Sequence, residues 1–163
     1  MVRKATQQDF DFIYTLYMHP QVNLFLLYEM MDAESFKPIF DDLLSKEVKF
    51  IYERGGMPVG MFKLVPNIYR AGHIVYLGGL AVHPSFAGKG YGFEMMKEII
   101  QYAEQQGFLR VELSVSVTNP KAQHLYEKAG FAKEGILRKY TYLQTENKFL
   151  DEVLMSWLSE KIK

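Results

Sequence analysis

Apolar positions recur along this chain with two different periods, one typical of strands and one typical of helices. Residues 111–118 alternate strictly between apolar and polar side chains, which predicts a strand with one buried face. Residues 92–106 repeat apolar side chains every three or four positions, which predicts an amphipathic helix that ends at Gly107. The inward-facing positions predicted from these two patterns are Val111, Leu113, Val115 and Val117 on the strand and Met96, Ile99, Ile100 and Ala103 on the helix.

Capping residues and prolines set the other element boundaries. Thr6 and Asp9 resemble a capping pair at the start of a helix, and Pro20 ends that helix because proline lacks the amide donor. Pro38 fits a second helix over 33–45 only near its first turn. Strands are predicted over 2–5, 48–53, 58–65, 73–82, 111–118, 131–143 and 150–158, and a further helix opens at Asn119-Pro120 and ends at Gly130.

This order of elements predicts an α/β fold of the α+β kind, with a mixed and largely antiparallel central sheet flanked by about four helices. Adjacent glycines at 78 and 79 lie inside a predicted strand, which indicates a bulge or the close approach of another backbone. The chain carries no repeat and no linker-like tract. Residues 1–163 are therefore predicted to form one domain.

Charge and cysteine content narrow the function classes. Lys+Arg and Asp+Glu are each 19, so net charge gives no support for binding nucleic acid or a membrane surface. The absence of cysteine excludes disulfides, thiolate metal ligands and a Cys nucleophile, and no metal is expected. The N-terminal residues lack the apolar core of a signal peptide, and no run of about 18 apolar residues occurs. A cytoplasmic location is therefore expected.

The segment most indicative of chemistry is Ala-Gly-Lys-Gly-Tyr-Gly at 87–92, between a predicted strand and a predicted helix. Its glycines allow backbone amides to converge on an anion, and the following helix adds its unpaired N-terminal donors, so the loop suits a diphosphate. Lys89 either adds a charge or is solvated. A glycine-rich turn without a ligand is the alternative. The triphosphate-loop and dinucleotide patterns do not match this glycine spacing.

The chain resembles the GNAT superfamily of acetyltransferases. The resemblance rests on Gly-Leu-Ala-Val-His-Pro at 79–84, the loop at 87–92, Asn119 with Ala122, and Leu-Tyr-Glu-Lys-Ala-Gly-Phe at 125–131. The C-terminal part is similar to a branch that includes ribosomal-protein N-terminal and small amine acetyltransferases. These motifs occur in order and extend over almost the whole chain.

The resemblance implies a binding site for acetyl-coenzyme A as cosubstrate. Backbone groups at Leu80, Ala81 and Val82 would pair with the pantetheine amides, and the loop amides would hold the pyrophosphate. Asn119 would contact the pantetheine arm, and a role as helix cap alone, which its position already explains, is the alternative. The residues implied to bind the cosubstrate are Leu80, Ala81, Val82, Ala87, Gly88, Lys89, Gly90, Tyr91, Gly92, Asn119, Ala122 and Tyr126. The family usually has Gln or Arg where this chain has Ala87, so that side-chain contact is missing.

By the same resemblance, Tyr126 is the catalytic residue, because its hydroxyl would lie near the departing thiolate and donate a proton or a hydrogen bond. Packing of Tyr126 beside its neighbours is the alternative. Many relatives carry a glutamate base on the strand before the loop, but residues 76–80 contain no carboxylate. His83 and Glu112 are weak candidates for a base, and the amine can also lose its proton to water.

The reaction implied is N-acyl transfer from acetyl-coenzyme A to a primary amine by direct attack in a ternary complex. The acceptor is a small-molecule amine, a protein N-terminus or a lysine. The apolar residues at 24–28 predict some apolar surface on it, and Tyr140 and Tyr142 either line its pocket or pack in the core. The alternatives are a non-catalytic acyl-coenzyme A binding or sensing domain and, with less support, a nucleotide-binding module. A homodimer is compatible with the sequence.

Overall fold

A computed structural model describes residues 1–162, which form a seven-stranded sheet. The strands follow the order β1-β2-β3-β4-β5-β7-β6, and only the β4–β5 pair is parallel. This confirms the predicted mixed, largely antiparallel sheet. The strands are β1 (Val2–Lys4), β2 (Lys49–Arg54), β3 (Met57–Pro66), β4 (Ile74–Val82), β5 (Arg110–Ser116), β6 (Ala132–Leu143) and β7 (Lys148–Leu158).

Five α-helices accompany the sheet in the described residues, where about four were predicted. The additional helix, α2, is a single turn that begins at Pro20. Proline suits the first helical position, because its missing amide would have no partner there. The imidazole of His19 caps this turn by accepting from the amide of Gln21. The helices are α1 (Phe10–Tyr17), α2 (Pro20–Asn23), α3 (Ala33–Ser45), α4 (Tyr91–Gln105) and α5 (Pro120–Lys128).

The expectation that Pro38 lies near a first turn is wrong. Helix α3 begins at Ala33, so Pro38 is its sixth residue and lies inside the helix. Its missing amide removes a single intrahelical hydrogen bond, and packing of the apolar face holds the helix nonetheless. The carboxylate of Asp32 caps α3 by accepting from the amide of Ser35 at 2.7 Å.

Two apolar clusters cover the two faces of the sheet. Helix α4 packs on one face with strand residues that include Val111 and Leu113, as their alternation predicts. Val117 is 42% exposed, contrary to the prediction, because β5 ends at Ser116. Of the residues predicted to face inward on α4, Met96, Ile99 and Ala103 are fully buried and Ile100 is half-buried. Met95, which was not predicted, is also fully buried. Helices α1 and α3 cover the other face beside β1–β4.

Strands β4 and β5 pair over only three residues and then separate. The last paired residues are Tyr76 and Glu112. Beyond them, β4 contains a bulge where it pairs with β3. Gly78 is paired with Lys63 and Ala81 with Met61, so β4 has one more residue than β3 between these two pairs. Gly79 lies in the bulge with φ +55°, a conformation that L side chains rarely adopt. This confirms the distortion predicted from the two adjacent glycines.

Strand β6 contains a second irregularity, where it pairs with β7. Leu137 is paired with Glu152, and the next pair in the register is Thr141 with Leu150. Between these pairs β6 has more residues than β7. Lys139 adopts φ +52° there, and its amide donates to the Asp151 carboxylate at 2.7 Å. The irregularity lies next to Tyr140 and Thr141, two residues that line the cleft described below.

Candidate functional site

A cleft of about 780 Å³ opens where β4 and β5 separate. Its walls are the two diverging strands, the loop before α4 and the first turns of α5. The segment around α2 and the residues at 140–142 border the other end. Because the parted strands no longer pair with each other, each presents backbone groups to a ligand between them, as at a sheet edge.

The loop before α4 presents a series of unpaired donors to this cleft. The amides of residues 88–92 find no acceptor among the described residues, and they lead directly into α4. Gly88 and Gly90 adopt φ +75° and +78°, and a Cβ on either would meet no atom within 4 Å, so the inner surface is open. Consecutive amides at a helix start, with the positive end of the helix dipole behind them, form a cradle for phosphate oxygens.

The start of α5 forms the opposite wall. The side-chain oxygen of Asn119 accepts from the amide of Ala122 at 3.2 Å, so Asn119 is the N-cap of α5, as its position predicts. Its side-chain amide nitrogen makes no hydrogen bond to the described residues and remains available as a donor. Ala122 also lines the cleft, and its short side chain leaves room beside the helix.

Tyr126, one turn further along α5, reaches the cleft from within the apolar cluster. It is 8% exposed, and its hydroxyl makes no hydrogen bond to the described residues. Burial, with a smaller contribution from Tyr76, raises the pKa of Tyr126 far above its usual value. The hydroxyl therefore stays protonated at neutral pH and can donate to a developing anion.

The sequence matches the family model described as "Acetyltransferase (GNAT) family" over residues 9–131, which is more than half of the chain. The chain belongs to the GNAT family. Curated relatives include an uncharacterised N-acetyltransferase of Methanocaldococcus jannaschii, 27% identical over 84% of this chain. Another is a putative ribosomal protein bS18-alanine N-acetyltransferase of Bacillus subtilis, 28% identical over 49% of this chain. These matches span 62% and 50% of the relatives' own lengths.

Solved structures of GNAT proteins share the fold. Spermidine N-acetyltransferase from Vibrio cholerae, crystallised with CoA and spermine, superimposes with a TM-score of 0.84. The match covers 99% of this chain and 96% of that one at 21% sequence identity. At this identity the likeness establishes the fold alone.

Eleven of the twelve residues that the GNAT resemblance assigns to the cosubstrate line this cleft. Lys89 does not line it, and its ammonium lies 5.4 Å from the centre of the Phe86 ring. Ala87 lines the cleft without offering a polar side-chain group.

The weak candidates for a base lie elsewhere. Glu112 does not line the cleft. It lies where β4 and β5 are still paired, and its carboxylate accepts a hydrogen bond from Arg110 at 2.7 Å. His83 bonds to the hydroxyl of Ser85 at 2.7 Å and lies outside the cleft lining.

Several polar residues of the cleft could not be assigned to the site from the sequence, among them Lys63, Tyr76 and Glu152. Lys63 lies on β3 opposite Gly78, Tyr76 donates to or accepts from Ser114 at 3.0 Å, and Glu152 accepts from the hydroxyl of Thr141 at 2.5 Å. Glu152 is the only carboxylate among the described residues that line the cleft. Alternation along β7 places Glu152 on the face of the sheet opposite the buried Val153. This alternation is the sequence pattern that could have indicated that Glu152 is accessible to a ligand.

Residues 1–162 contain neither a cluster of metal-ligating side chains nor a membrane-spanning helix. No group of three or more His, Asp or Glu side chains is arranged to hold a metal ion. No helix in this part of the chain is long and apolar enough to cross a membrane.

Proposed function

We propose that this chain is an N-acetyltransferase that transfers the acetyl group of acetyl-coenzyme A to a primary amine by direct attack in a ternary complex. The observation that carries the proposal is the continuous run of unpaired amides at 88–92, which leads into a cleft between two separated strands. That combination offers an anion cradle at one end and free strand edges at the other. A linear ligand with a diphosphate and amide groups matches both.

The cosubstrate would lie along this cleft, held mainly by backbone groups. The amides of residues 88–92 would bind the pyrophosphate, while the strand edge at 80–82 would pair with the pantetheine amides. Asn119 would donate its free side-chain nitrogen to the pantetheine arm, and Ala122 would let the arm pass close to α5. Because Ala87 supplies no side-chain donor, the affinity is expected to be lower than with Arg at this position.

The thioester of the cosubstrate supplies an acyl carbon whose bond to sulfur breaks as the bond to the amine nitrogen forms. Tyr126 would donate the proton that the leaving sulfur gains, since burial keeps its hydroxyl protonated. The amine loses a proton to water and Tyr126 regains one from water, so an amide, a free thiol and the neutral tyrosine result. Parting of β4 and β5 would position the reacting atoms, and such positioning supplies much of the rate enhancement in reactions of this kind.

The acceptor would enter from the end bordered by α2 and β6. Leu24, Phe25 and Leu27 are each at least 49% exposed. All three line the cleft together with Tyr140 and Tyr142. Exposed apolar residues at an opening favour an acceptor with some apolar surface. The proteins compared above are named for acceptors as different as spermidine and a ribosomal-protein alanine. Similarity to them therefore does not identify the acceptor of this chain.

The test is thiol release from acetyl-coenzyme A across a panel of amines and N-terminal peptides, with wild type and Tyr126→Phe compared. We expect Tyr126→Phe to lower kcat about 10- to 100-fold with little change in acetyl-coenzyme A affinity, as befits loss of a proton donor. Tyr102→Phe, which removes a hydroxyl from the apolar cluster outside the cleft, is the matched control. Equal rates in wild type and Tyr126→Phe would remove Tyr126 from the mechanism.

Calorimetry separates the transferase from an acyl-coenzyme A sensor. Tight binding of acetyl-coenzyme A without turnover of any amine would favour the sensor. Absence of binding would refute both and reject the assignment of the cleft. The homodimer remains a prediction, for which light scattering of the purified protein is the direct measurement.

A further inference from the structure

Two lysines that form no ion pair with residues 1–162 lie beside the acceptor end of the cleft. Lys49 and Lys63 are direct neighbours across β2 and β3. Lys63 is half-buried and lines the cleft, whereas Lys49 is 1% exposed and lies beneath it. Among residues 1–162, Lys49 bonds only to the hydroxyl of Tyr17, at 2.9 Å, and neither lysine forms an ion pair.

This corner of the protein therefore holds two amines with no acid beside them to stabilise their charged forms. Like charges on directly opposed strand positions destabilise a sheet, and buried lysines are ordinarily paired with an acid. Burial and the nearby Lys63 lower the pKa of Lys49 well below its usual value, and burial and Lys46 lower the pKa of Lys63. An anion placed against Lys63 would favour its charged form and supply the missing partner.

The pyrophosphate of the cosubstrate is not that anion. Lys63 lies opposite Gly78, whereas the phosphate cradle begins beyond Val82, four residues further along β4. The extra residue of the bulge lies in this stretch, and on β3 the same span is only the three residues from Lys63 to Gly60. At about 3.3 Å per strand residue, these positions are roughly 10 Å apart before the loop is counted. Lys63 therefore belongs to the end of the cleft where the thioester and the acceptor would meet.

The opposite side of the same end carries the complementary charge. Glu152 lies on β7, three strands from Lys63 in the sheet order β3-β4-β5-β7. Between them stand the bonded hydroxyls of Tyr76 and Ser114. Strands are spaced about 4.8 Å apart, so the backbones of the two charged residues are at least about 14 Å apart, a distance that their side chains shorten. The cleft floor thus runs from a cation through hydroxyls to an anion.

We propose that the acceptor is an amine that also carries an anionic oxygen group, such as an amino acid, and that Lys63 binds that group. This inference rests on the acetyltransferase function proposed above and names its substrate class. Glu152 and the two hydroxyls surround the amine, while Lys63 determines specificity. A polyamine fits this floor poorly, because its second ammonium would meet Lys63.

The experiment compares acceptors that differ only in the anionic group. The pairs are leucine with leucinamide, 6-aminohexanoate with hexylamine, and O-phosphoethanolamine with ethanolamine, with spermidine as the polycation. We expect wild-type kcat/KM to be at least 10-fold higher for the anionic member of a productive pair. This comparison needs no variant. Equal kcat/KM within every pair, or spermidine as the best acceptor, would overturn the proposal.

Substitution of Lys63 then tests its part. Lys63→Met keeps the length of the side chain, and we expect it to lower kcat/KM about 10- to 100-fold for the anionic acceptor, mainly through KM, and less than threefold for its uncharged partner. Lys63→Arg should keep the preference, and Lys97→Met, on the exposed face of α4, should change neither. An equal loss for both members of the pair in Lys63→Met would show that Lys63 is merely structural.

Failure of the acetyltransferase function remains distinguishable from failure of this inference. If no amine reacts, calorimetric titration of leucine and leucinamide into protein saturated with coenzyme A decides the question of the anion. Binding of leucine alone, lost in Lys63→Met, would uphold the anion site without catalysis. Equal binding or no binding of both compounds would reject it.

Discussion

The close approach of Gly79 to Tyr17 gives the sharpest prediction about what holds the cleft open. A Cβ at position 79 would lie 2.7 Å from the Tyr17 hydroxyl and 3.5 Å from the Lys49 ammonium. Gly79 also has φ +55°, in the left-handed region. Substitution of Gly79 by alanine therefore introduces two separate costs, one of backbone conformation and one of packing.

The two costs can be estimated separately. An L residue in the left-handed conformation costs about 1–2 kcal/mol. Forcing a methyl group against a fully buried side chain costs about 1–3 kcal/mol. Gly79→Ala should therefore lower the free energy of unfolding by about 2–5 kcal/mol. In a Tyr17→Phe background the hydroxyl is gone and the nearest ring carbon stands at 3.6 Å, an ordinary contact, so only the conformational cost of about 1–2 kcal/mol should remain.

Urea unfolding of the wild type, both single variants and the double variant measures this difference, with the fluorescence of the single tryptophan, Trp157, as the probe. We expect a coupling free energy of about 1–3 kcal/mol between the two positions. Acetyl-coenzyme A affinity should fall in Gly79→Ala and recover in part in the double variant, because the bulge forms the strand edge beside the cleft. Equal costs of Gly79→Ala in both backgrounds would refute the reasoning.

Three further predictions concern single positions. Lys49→Met should raise the free energy of unfolding at pH 7 by about 1–3 kcal/mol, because folding must either keep the buried amine of Lys49 neutral or bury its charge, and no acid among residues 1–162 pairs with it. The pKa of Lys49 is lowered in the folded state, so the unfolded state binds this proton more readily. The contribution of Lys49 to wild-type stability should therefore increase as the pH rises toward about 10.4, the usual pKa of lysine. Urea unfolding at pH 7 and pH 9.5 should show a smaller increase in Lys49→Met than in the wild type. Ala87→Arg should tighten coenzyme A binding about 3- to 10-fold by calorimetry, by adding a charged donor beside the phosphate cradle, and an unchanged Kd would argue against pyrophosphate there. Asn119→Ala should lower the free energy of unfolding by about 1 kcal/mol and weaken coenzyme A binding, because it removes both the cap oxygen and the side-chain nitrogen. Asn119→Asp keeps the cap oxygen, so it should weaken coenzyme A binding without lowering the free energy of unfolding.

Most elements of the fold could be predicted because their signals are local. Apolar periodicity located α4 and β5, and the glycine pair at 78 and 79 indicated the bulge. Asn119 could be identified as an N-cap because a capping side chain bonds to an amide three residues away. Pro38 was misjudged, because a rule about isolated helices ignores the apolar face that holds α3 in place.

The candidate site divides in the same way. A short loop such as 87–92 carries its glycine pattern in consecutive residues, so its ability to bind phosphate can be read directly. Whether Glu112 reaches the cleft depends on where β4 and β5 separate, and that point follows from pairing between distant strands. The sequence therefore left Glu112 as a candidate, and the structure showed it bonded to Arg110, outside the cleft.

The sequence by itself determined the order of the elements, the phosphate-binding character of the loop and the family resemblance, since each depends on residues close together in the chain. Only the tertiary structure brought Lys63 and Glu152 to the two sides of one cleft, because the strands that carry them are neighbours of β4 and β5 in space and far apart in sequence. It also showed that Lys63 forms no ion pair with any residue that the structure describes. Strand pairing over long separations decides which charges face each other, and no local pattern encodes that choice.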